Sequence, residues 1–235
     1  MSIEQLVANY QPPAEAVEVI KHTKIALLVG ISGAGKDTIK HHLLRRPGFG
    51  GIVTHTTRAP RENEGVMEQD GKDYHFIDIE TARVMLERGE FIESKFVHGT
   101  VYGTSLKEGK KAGKKGTAIT DIDVQGVAEY KAMSDQVVAI FIVPPSYDEW
   151  IRRLKRRYST DEAFAKEWPK RRKSAIMELQ RALELPYYHC VINDDLSRAV
   201  EVSAEIAERP DVFTRKDDEA RLVARDFLNL NINRN

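Results

Sequence analysis

Nine consecutive residues carry the strongest chemical signal in this chain: Gly30-Ile31-Ser32-Gly33-Ala34-Gly35-Lys36-Asp37-Thr38. The spacing G-x-x-x-x-G-K, after an apolar run and before a helical stretch, is that of a phosphate-binding loop. Glycines at Gly30, Gly33 and Gly35 let the backbone curl, so that N–H groups around Ser32 and Ala34 converge on anionic oxygens. The helix start adds partial positive charge. Lys36 is then placed to reach the outer phosphates of a nucleoside triphosphate. The competing reading is a glycine-rich turn with a chance lysine, and the strand before and helix after argue against it. The position after Lys36 normally carries a serine or threonine whose hydroxyl holds Mg²⁺. Here it is Asp37, with Thr38 next. Either Asp37 holds the ion, directly or through water, or Thr38 takes that role. A carboxylate so near a triphosphate repels it unless a cation intervenes.

Such a loop needs a strand before it and a helix after it. Ile25-Ala26-Leu27-Leu28-Val29 is continuously apolar, which suits a strand buried on both faces. Similar runs recur at Ala118–Thr120 and Val137–Val143, with a weaker one at Cys190-Val191-Ile192. Helical patterns separate them, so the expected fold class is α/β with a parallel-sheet core and helices on both faces. Asp78 can cap a helix that Gly89 ends, with Ala82, Met85 and Leu86 inward. Ser146 and Glu149 suggest a capping box, with Tyr147, Ile151 and Leu154 on one face. Ala175, Ile176, Leu179, Ala182 and Leu183 form another stripe, and a helix beginning near Asp195 ends before Pro210. Residues 1–23, with Pro12-Pro13 in the middle, read as an appended arm with one short helix. Ala220, Val223 and Phe227 give the tail a helical spacing.

Composition limits the function classes. The 235 residues hold 36 Lys plus Arg and 36 Asp plus Glu, so a nucleic-acid-binding or membrane-surface polycation is excluded. Apolar residues make up 41%, a globular composition. The single Cys190 rules out an intrachain disulfide and a thiolate metal site, and reads as a buried strand residue. The start of the chain has no basic head followed by an apolar run, and no stretch approaches a membrane span. A soluble cytoplasmic protein is expected. His22, His41, His42, His55, His75, His98 and His189 show no metal-ligand spacing. Charge is uneven, however: from Arg152 to Lys173 ten Lys or Arg stand against three Asp or Glu.

Several further blocks follow the loop in order. They are Thr54-His55-Thr56-Thr57-Arg58-Ala59-Pro60-Arg61, Asp70-Gly71-Lys72-Asp73-Tyr74-His75-Phe76 and Gly89-Glu90-Phe91-Ile92-Glu93. Then come Val101-Tyr102-Gly103-Thr104, Asp121-Ile122-Asp123-Val124-Gln125-Gly126, Pro144-Pro145-Ser146 with Arg153-Leu154, and Val191-Ile192-Asn193-Asp194-Asp195. Together, over residues 24 to 208, this series resembles guanylate kinase. The resemblance implies a phosphate-loop core (24–53, 106–145 and 175–208), an inserted mixed-sheet GMP-binding domain (54–105) and a helical lid (146–174). It leaves an N-terminal arm (1–23) and a C-terminal extension (209–235). It implies transfer of the ATP γ-phosphoryl group to GMP with Mg²⁺.

The resemblance also assigns roles. Guanine presents donors at N1–H and the 2-amino group and an acceptor at O6. The carboxylates that read the donors fall at Glu93 and Asp123, and the hydroxyls at Thr54 and Thr104. Serine is usual at both hydroxyl positions, so the threonines are departures that keep the hydroxyl. The GMP phosphate falls to Arg58, Arg61, Tyr74 and Tyr102, since guanidinium forks match phosphate oxygens. The gap from Arg61 to Tyr74 is longer than the family pattern and is filled by acidic ENEGVMEQD. Lid arginines that meet the transferring phosphoryl group fall at Arg153, Arg157 and Arg171, although Arg172 is adjacent. Asn193 matches a residue near adenine, and Asp121 an acidic residue in the outer shell of Mg²⁺.

Two rivals stand beside this reading. A ribose bisphosphokinase resembles the chain at Gly35-Lys36-Asp37, but a sugar-phosphate kinase has no need of Glu93 and Asp123. A non-catalytic guanylate-kinase-like binding module loses its working phosphate loop, whereas Gly30, Gly33, Gly35 and Lys36 are all present. The expected partners are ATP and GMP, with no nucleic acid and no membrane, in a monomer or homodimer.

Overall fold

The computed structural model describes residues 1–63, 66–97, 99–212 and 215–233. His98, Glu64 and Gly65 of the acidic insertion, and 213, 214, 234 and 235 of the tail, lie outside the described residues. Helices α1 (Ile3–Ala8) and α2 (Ala14–Lys21) precede strand β1 (Ile25–Val29) and helix α3 (Lys36–Leu43). Short strands β2 (Phe49–Gly51), β3 (His55–Thr56), β4 (Glu62–Asn63), β5 (Val66–Met67) and β6 (His75–Phe76) follow. Next are α4 (Ile79–Glu87), β7 (Phe91–Val97), β8 (Thr100–Ser105), α5 (Leu106–Gly113), β9 (Thr117–Asp121) and α6 (Val124–Met133). The chain continues with β10 (Val138–Val143), α7 (Tyr147–Lys155), α8 (Asp161–Glu184), β11 (Tyr188–Ile192), α9 (Leu196–Glu208) and α10 (Arg215–Asn233).

Two compact units form. One comprises Met1–Ile25, Gly48–Thr120 and Glu129–Val137, and the other Ala26–Pro47, Asp121–Ala128 and Val138–Asn235. In the second unit β10 pairs in parallel with β1 (Ala26 opposite Val138) and with β11 (Ala139 opposite Tyr188). Every residue of β1 and β10 is buried, as continuous apolar runs between covering helices require. Helix α9 packs against β10 and β11, and α10 against α8 and β11. In the first unit β8 is central: it pairs antiparallel with β7 and with β3, which in turn pairs in parallel with β6. That sheet is therefore mixed. Strands β2 and β9 form a parallel pair in the same unit.

Helix ends follow their side-chain signals. Asp78 accepts from the Thr81 N–H, and Asp195 from the Arg198 N–H. Four expectations need correction. The arm holds two helices, not one: Ser2 and Gln5 cap α1 reciprocally, and Pro13 opens α2. At α7 the Ser146 hydroxyl accepts from the Glu149 N–H, but the Glu149 carboxylate turns instead to Arg152 and Arg153. The buried residues of α7 are Trp150 and Leu154, not Ile151. Indole area outweighs the aliphatic side chain, and Trp150 stacks with Trp168 and Phe227 at centroid distances of 5.5 and 5.9 Å. The tail forms α10 and buries Ala220 and Phe227 of the expected stripe, but Ala224 is buried where the spacing predicts Val223, and Val223 is half-buried. No helix among the described residues is long and apolar enough to cross a membrane.

Candidate active site

The loop between β1 and α3 is shaped by its glycines. Gly35 has φ +94°, and a Cβ there would lie 2.3 Å from Asn193 Nδ2. Gly30 has φ +139°, and a Cβ would meet the Ile142 carbonyl at 2.3 Å. Side chains are excluded at both by conformation and by space. Lys36 donates to the Gly30 carbonyl at 2.5 Å and to Ile31 at 3.4 Å, so the ammonium lies across the loop. Asn193, buried at the end of β11, donates to the Ala34 carbonyl at 2.7 Å. Trp150 Nε1 donates to the Ser32 carbonyl at 2.7 Å.

Of the three arginines that the resemblance assigns to a lid, two converge on this loop. Arg153 donates to the Asn193 carbonyl at 3.1 Å and is braced by Glu149 at 2.7 Å. Arg157 reaches Ser32 Oγ at 3.3 Å. Arg171 instead donates to the Tyr158 hydroxyl at 3.1 Å, while Arg172 donates to the Asn231 carbonyl of α10 at 2.7 Å. Both sit on α8, which runs unbroken from Asp161 to Glu184 through Pro169.

Asp37 and Thr38 lie in the first turn of α3, both exposed. Lys40, one turn later, is hydrogen-bonded to Asp121 Oδ1 and lies 3.9 Å from Asp37 Oδ1. Burial would push the Asp121 carboxyl up, but the charge and hydrogen bond of Lys40 hold it below its ordinary value. Two carboxylates thus reach one ammonium beside the loop. A hard-oxygen pair of this kind fits Mg²⁺, which is commonly held by one or two carboxylates plus phosphate oxygens and waters. Asp37 and Asp121, with the Thr38 hydroxyl, are the groups that would hold it. No cluster of three or more His, Cys, Asp or Glu suited to a metal occurs among the described residues.

The other candidate residues fall in the first unit, apart from Asp123. Arg58 grips the Glu68 carboxylate with both terminal nitrogens, at 2.9 and 3.0 Å. It lies 5.2 Å from the Tyr74 ring centroid, and Tyr74 is 6.3 Å from Tyr102. The Arg61 backbone N–H donates to the same Glu68 carboxylate at 2.8 Å. Glu93 is 5% exposed and stands opposite Thr104, which is fully buried. Thr54 precedes β3, its carbonyl accepting from the His75 N–H at 2.8 Å. His55 is held neutral, pushed down to about 4 by burial and by His75. In the second unit, Asp123 accepts from the Gly126 N–H at 2.7 Å and so caps α6.

The guanylate kinase family model matches residues 22–209 of this chain. The chain belongs to the guanylate kinase family. It is 38% identical over 191 residues to the guanylate kinase of Myxococcus xanthus, covering 79% of this chain and 87% of that protein. It is 32% identical over 209 residues to the guanylate kinase of Aromatoleum aromaticum, covering 87% and 97%. The crystal structure of guanylate kinase from Anaplasma phagocytophilum superposes with a TM-score of 0.60 at 28% identity, covering 83% of this chain and 90% of that one. The phosphate loop, the arginines of α7 and α8 and the mixed-sheet residues all fall within the matched segment. Most of the arm and α10 fall outside it.

Four residues near these guanylate kinase blocks carry charge or hydroxyl chemistry that the sequence did not announce. Lys40 is one; its spacing of four from Lys36 was the available signal. Glu68 is another, hidden in the acidic insertion. Tyr130 on α6 is fully buried, and burial and then the Glu93 charge push its phenol up. Glu178 on α8 is the fourth. Its Oε2 is buried with no hydrogen-bond partner among the described residues. Burial raises its carboxyl to about 7 from 4.5, with Asp123 adding to the rise and Lys36 and Arg171 opposing it.

Glu178 gives a pH prediction. Between pH 4.5 and 7 the folded chain holds a proton at Glu178 that the unfolded chain releases, so stability falls as pH rises through this window. The full effect is on the order of 3 kcal/mol. Glu178→Gln, neutral at every pH, should melt with the parent protein at pH 4 and above it at pH 8. Parallel melting curves for the two across that range would remove the raised carboxyl.

Proposed function

We propose that this chain transfers the γ-phosphoryl group of ATP to GMP, giving ADP and GDP, with Mg²⁺. The observation that carries the reading is a complete phosphate loop, with Lys36 laid across it and Arg153 and Arg157 gathered beside it, in a guanylate kinase chain. ATP is assigned to Gly30, Ser32, Gly33, Ala34, Gly35, Lys36, Asp37, Thr38 and Asn193. GMP is assigned to Thr54, Arg58, Arg61, Tyr74, Glu93, Tyr102, Thr104 and Asp123. Residues 146–174 serve as the lid and 54–105 as the GMP-binding domain. The protein works as a monomer or homodimer in the cytoplasm.

The nucleophile is a phosphate oxygen of GMP, already anionic near neutral pH. No general base is needed, and catalysis rests on positioning and charge stabilisation. Arg58 and Arg61 bind and orient the acceptor phosphate, and Tyr74 and Tyr102 donate to it. Arg58 exchanges Glu68 for that phosphate, since both offer paired oxygens to one guanidinium fork. Lys36 exchanges loop carbonyls for donor phosphate oxygens, and Arg153, Arg157 and Arg171 offset the charge that spreads over the moving group. Asp37, Asp121 and Thr38 would hold Mg²⁺, which would supply positive charge to offset the donor phosphate oxygens. Closing the lid excludes water, which would otherwise hydrolyse ATP.

An ADP-release assay across GMP, AMP, UMP, CMP and ribose bisphosphate tests the reading. GMP should be the preferred acceptor; preference for ribose bisphosphate would install the rival kinase, and no turnover with any acceptor the binding module. The magnesium assignment has its own test. Asp37→Asn should raise the free Mg²⁺ needed for half-maximal ATP binding and turnover, since a neutral amide is a poorer ligand for a hard cation. Asp37→Ser should be tolerated, and Thr38→Val should matter less than Asp37→Asn. The reverse order would move the ion to Thr38, and unchanged magnesium dependence in all three would remove both.

A further inference from the structure

Strand β7 lies at the edge of its sheet, in the order β6-β3-β8-β7, so one side of it has no strand partner among the described residues. At Phe91 that side is occupied by a side chain from the arm. The Tyr10 hydroxyl donates to the Phe91 carbonyl at 2.6 Å and accepts from the Phe91 N–H at 3.1 Å. One phenol therefore does for Phe91 what a neighbouring strand would do. Burial pushes the Tyr10 phenol up, so it keeps its proton at neutral pH. The contact sits where the ladder is irregular. Phe91 stands opposite Ser105, but Glu93 stands opposite Thr104, which leaves Ile92 as an extra residue. This is a bulge, and it re-aims the side chains after it. Its mark is three consecutive buried side chains, Phe91 and Ile92 at 0% and Glu93 at 5%. A regular strand would alternate, and a slip of one residue turns every following side chain to the other face.

The arm is anchored to hold the phenol in place. The capping box of Ser2 and Gln5 starts α1, and Val7 joins a buried cluster with Ala82, Leu86, Phe91 and Val101. Ile3, Leu6 and Tyr10 pack on the same cluster. Tyr10 precedes the segment matched by the family model, so the arm's side of this brace lies outside that segment, while Phe91 lies within it.

We propose that Tyr10 is a positioning residue for base choice: its phenol pins the Phe91 backbone, keeps the bulge at Ile92, and so holds Glu93 in the orientation that reads guanine. The proposal rests on the assignment of Glu93 to guanine. Tyr10→Phe removes one oxygen and keeps the ring in its cluster. It leaves a backbone donor and acceptor without their partner beside the bulge, a stability cost of which the share that reorients Glu93 is expected to weaken GMP binding by about tenfold. The KM for GMP should rise by that factor with little change in the KM for ATP. The preference for GMP over inosine monophosphate, which lacks the 2-amino group, should fall with it.

The test measures kcat and KM for GMP, inosine monophosphate and ATP, with melting curves, for Tyr10→Phe, Glu93→Gln and Leu6→Ala. Leu6→Ala loosens the arm and keeps the phenol. Reduced base preference in Tyr10→Phe and Glu93→Gln, but not in Leu6→Ala, is the expected result. An effect in Glu93→Gln with unchanged preference in Tyr10→Phe overturns the proposal alone. The same preference change in Leu6→Ala assigns the effect to packing and also overturns it. No effect in Glu93→Gln removes the guanine assignment, and the proposal with it.

Discussion

Lys36→Ala is expected to lower turnover by at least about 100-fold while the fold survives. A factor of 100 corresponds to about 2.7 kcal/mol of barrier. That is a reasonable share for one fixed cation opposite the charge of a moving phosphoryl group. The folded chain loses much less. The Lys36 ammonium is half-buried and, among the described residues, bonds to the Gly30 and Ile31 carbonyls of its own loop. Removing it leaves those carbonyls to water, at a cost on the order of 1 kcal/mol. Lys36→Met keeps the stem and should behave like the alanine variant. Steady-state kcat together with a melting curve separates the two effects. Near-normal turnover in a folded variant would detach the phosphate loop from catalysis.

The second large effect is expected at Glu93. Glu93→Gln replaces an acceptor-only carboxylate by an amide that also presents donors. Guanine offers donors at N1 and at the 2-amino group, so a donor is set against a donor. Glu93 is 5% exposed, and water cannot easily mend the mismatch. A buried mismatch of this kind costs about 1–3 kcal/mol, so GMP should bind about 10- to 100-fold more weakly. ATP binding should stay as it is. Titration calorimetry of both nucleotides on the folded variant reads this directly, and unchanged GMP affinity would free Glu93 from base reading.

Much of the donor site was legible before folding because its signals are local. A glycine's freedom of φ, a lysine at the first turn and an apolar strand of five residues all act within one stretch of backbone. The same holds for the cap at Asp78 and for the stripe along α10, where the period of the helix is written in neighbouring positions. The error at α7 was also local: Ile151 and Trp150 are adjacent, and periodicity alone does not choose which of them faces inward.

What lay beyond the sequence joins residues far apart along it. Tyr10 meets Phe91 and Lys40 meets Asp121, each across 81 positions. Neither pair has a local signature, since a tyrosine in a polar arm and a lysine in a helix read as ordinary surface residues. Glu68 reads as one acid among several until the chain turns back and gives it to Arg58. The bulge at Ile92 is invisible in the sequence, because an extra residue exists only relative to the strand beside it. Local backbone chemistry wrote the loop, the caps and the helical stripes into the sequence. The orientation of Glu93, the cation between Asp37 and Asp121 and the raised carboxyl of Glu178 depend on which distant groups and how much burial the fold brings to them, and only the tertiary structure decided those.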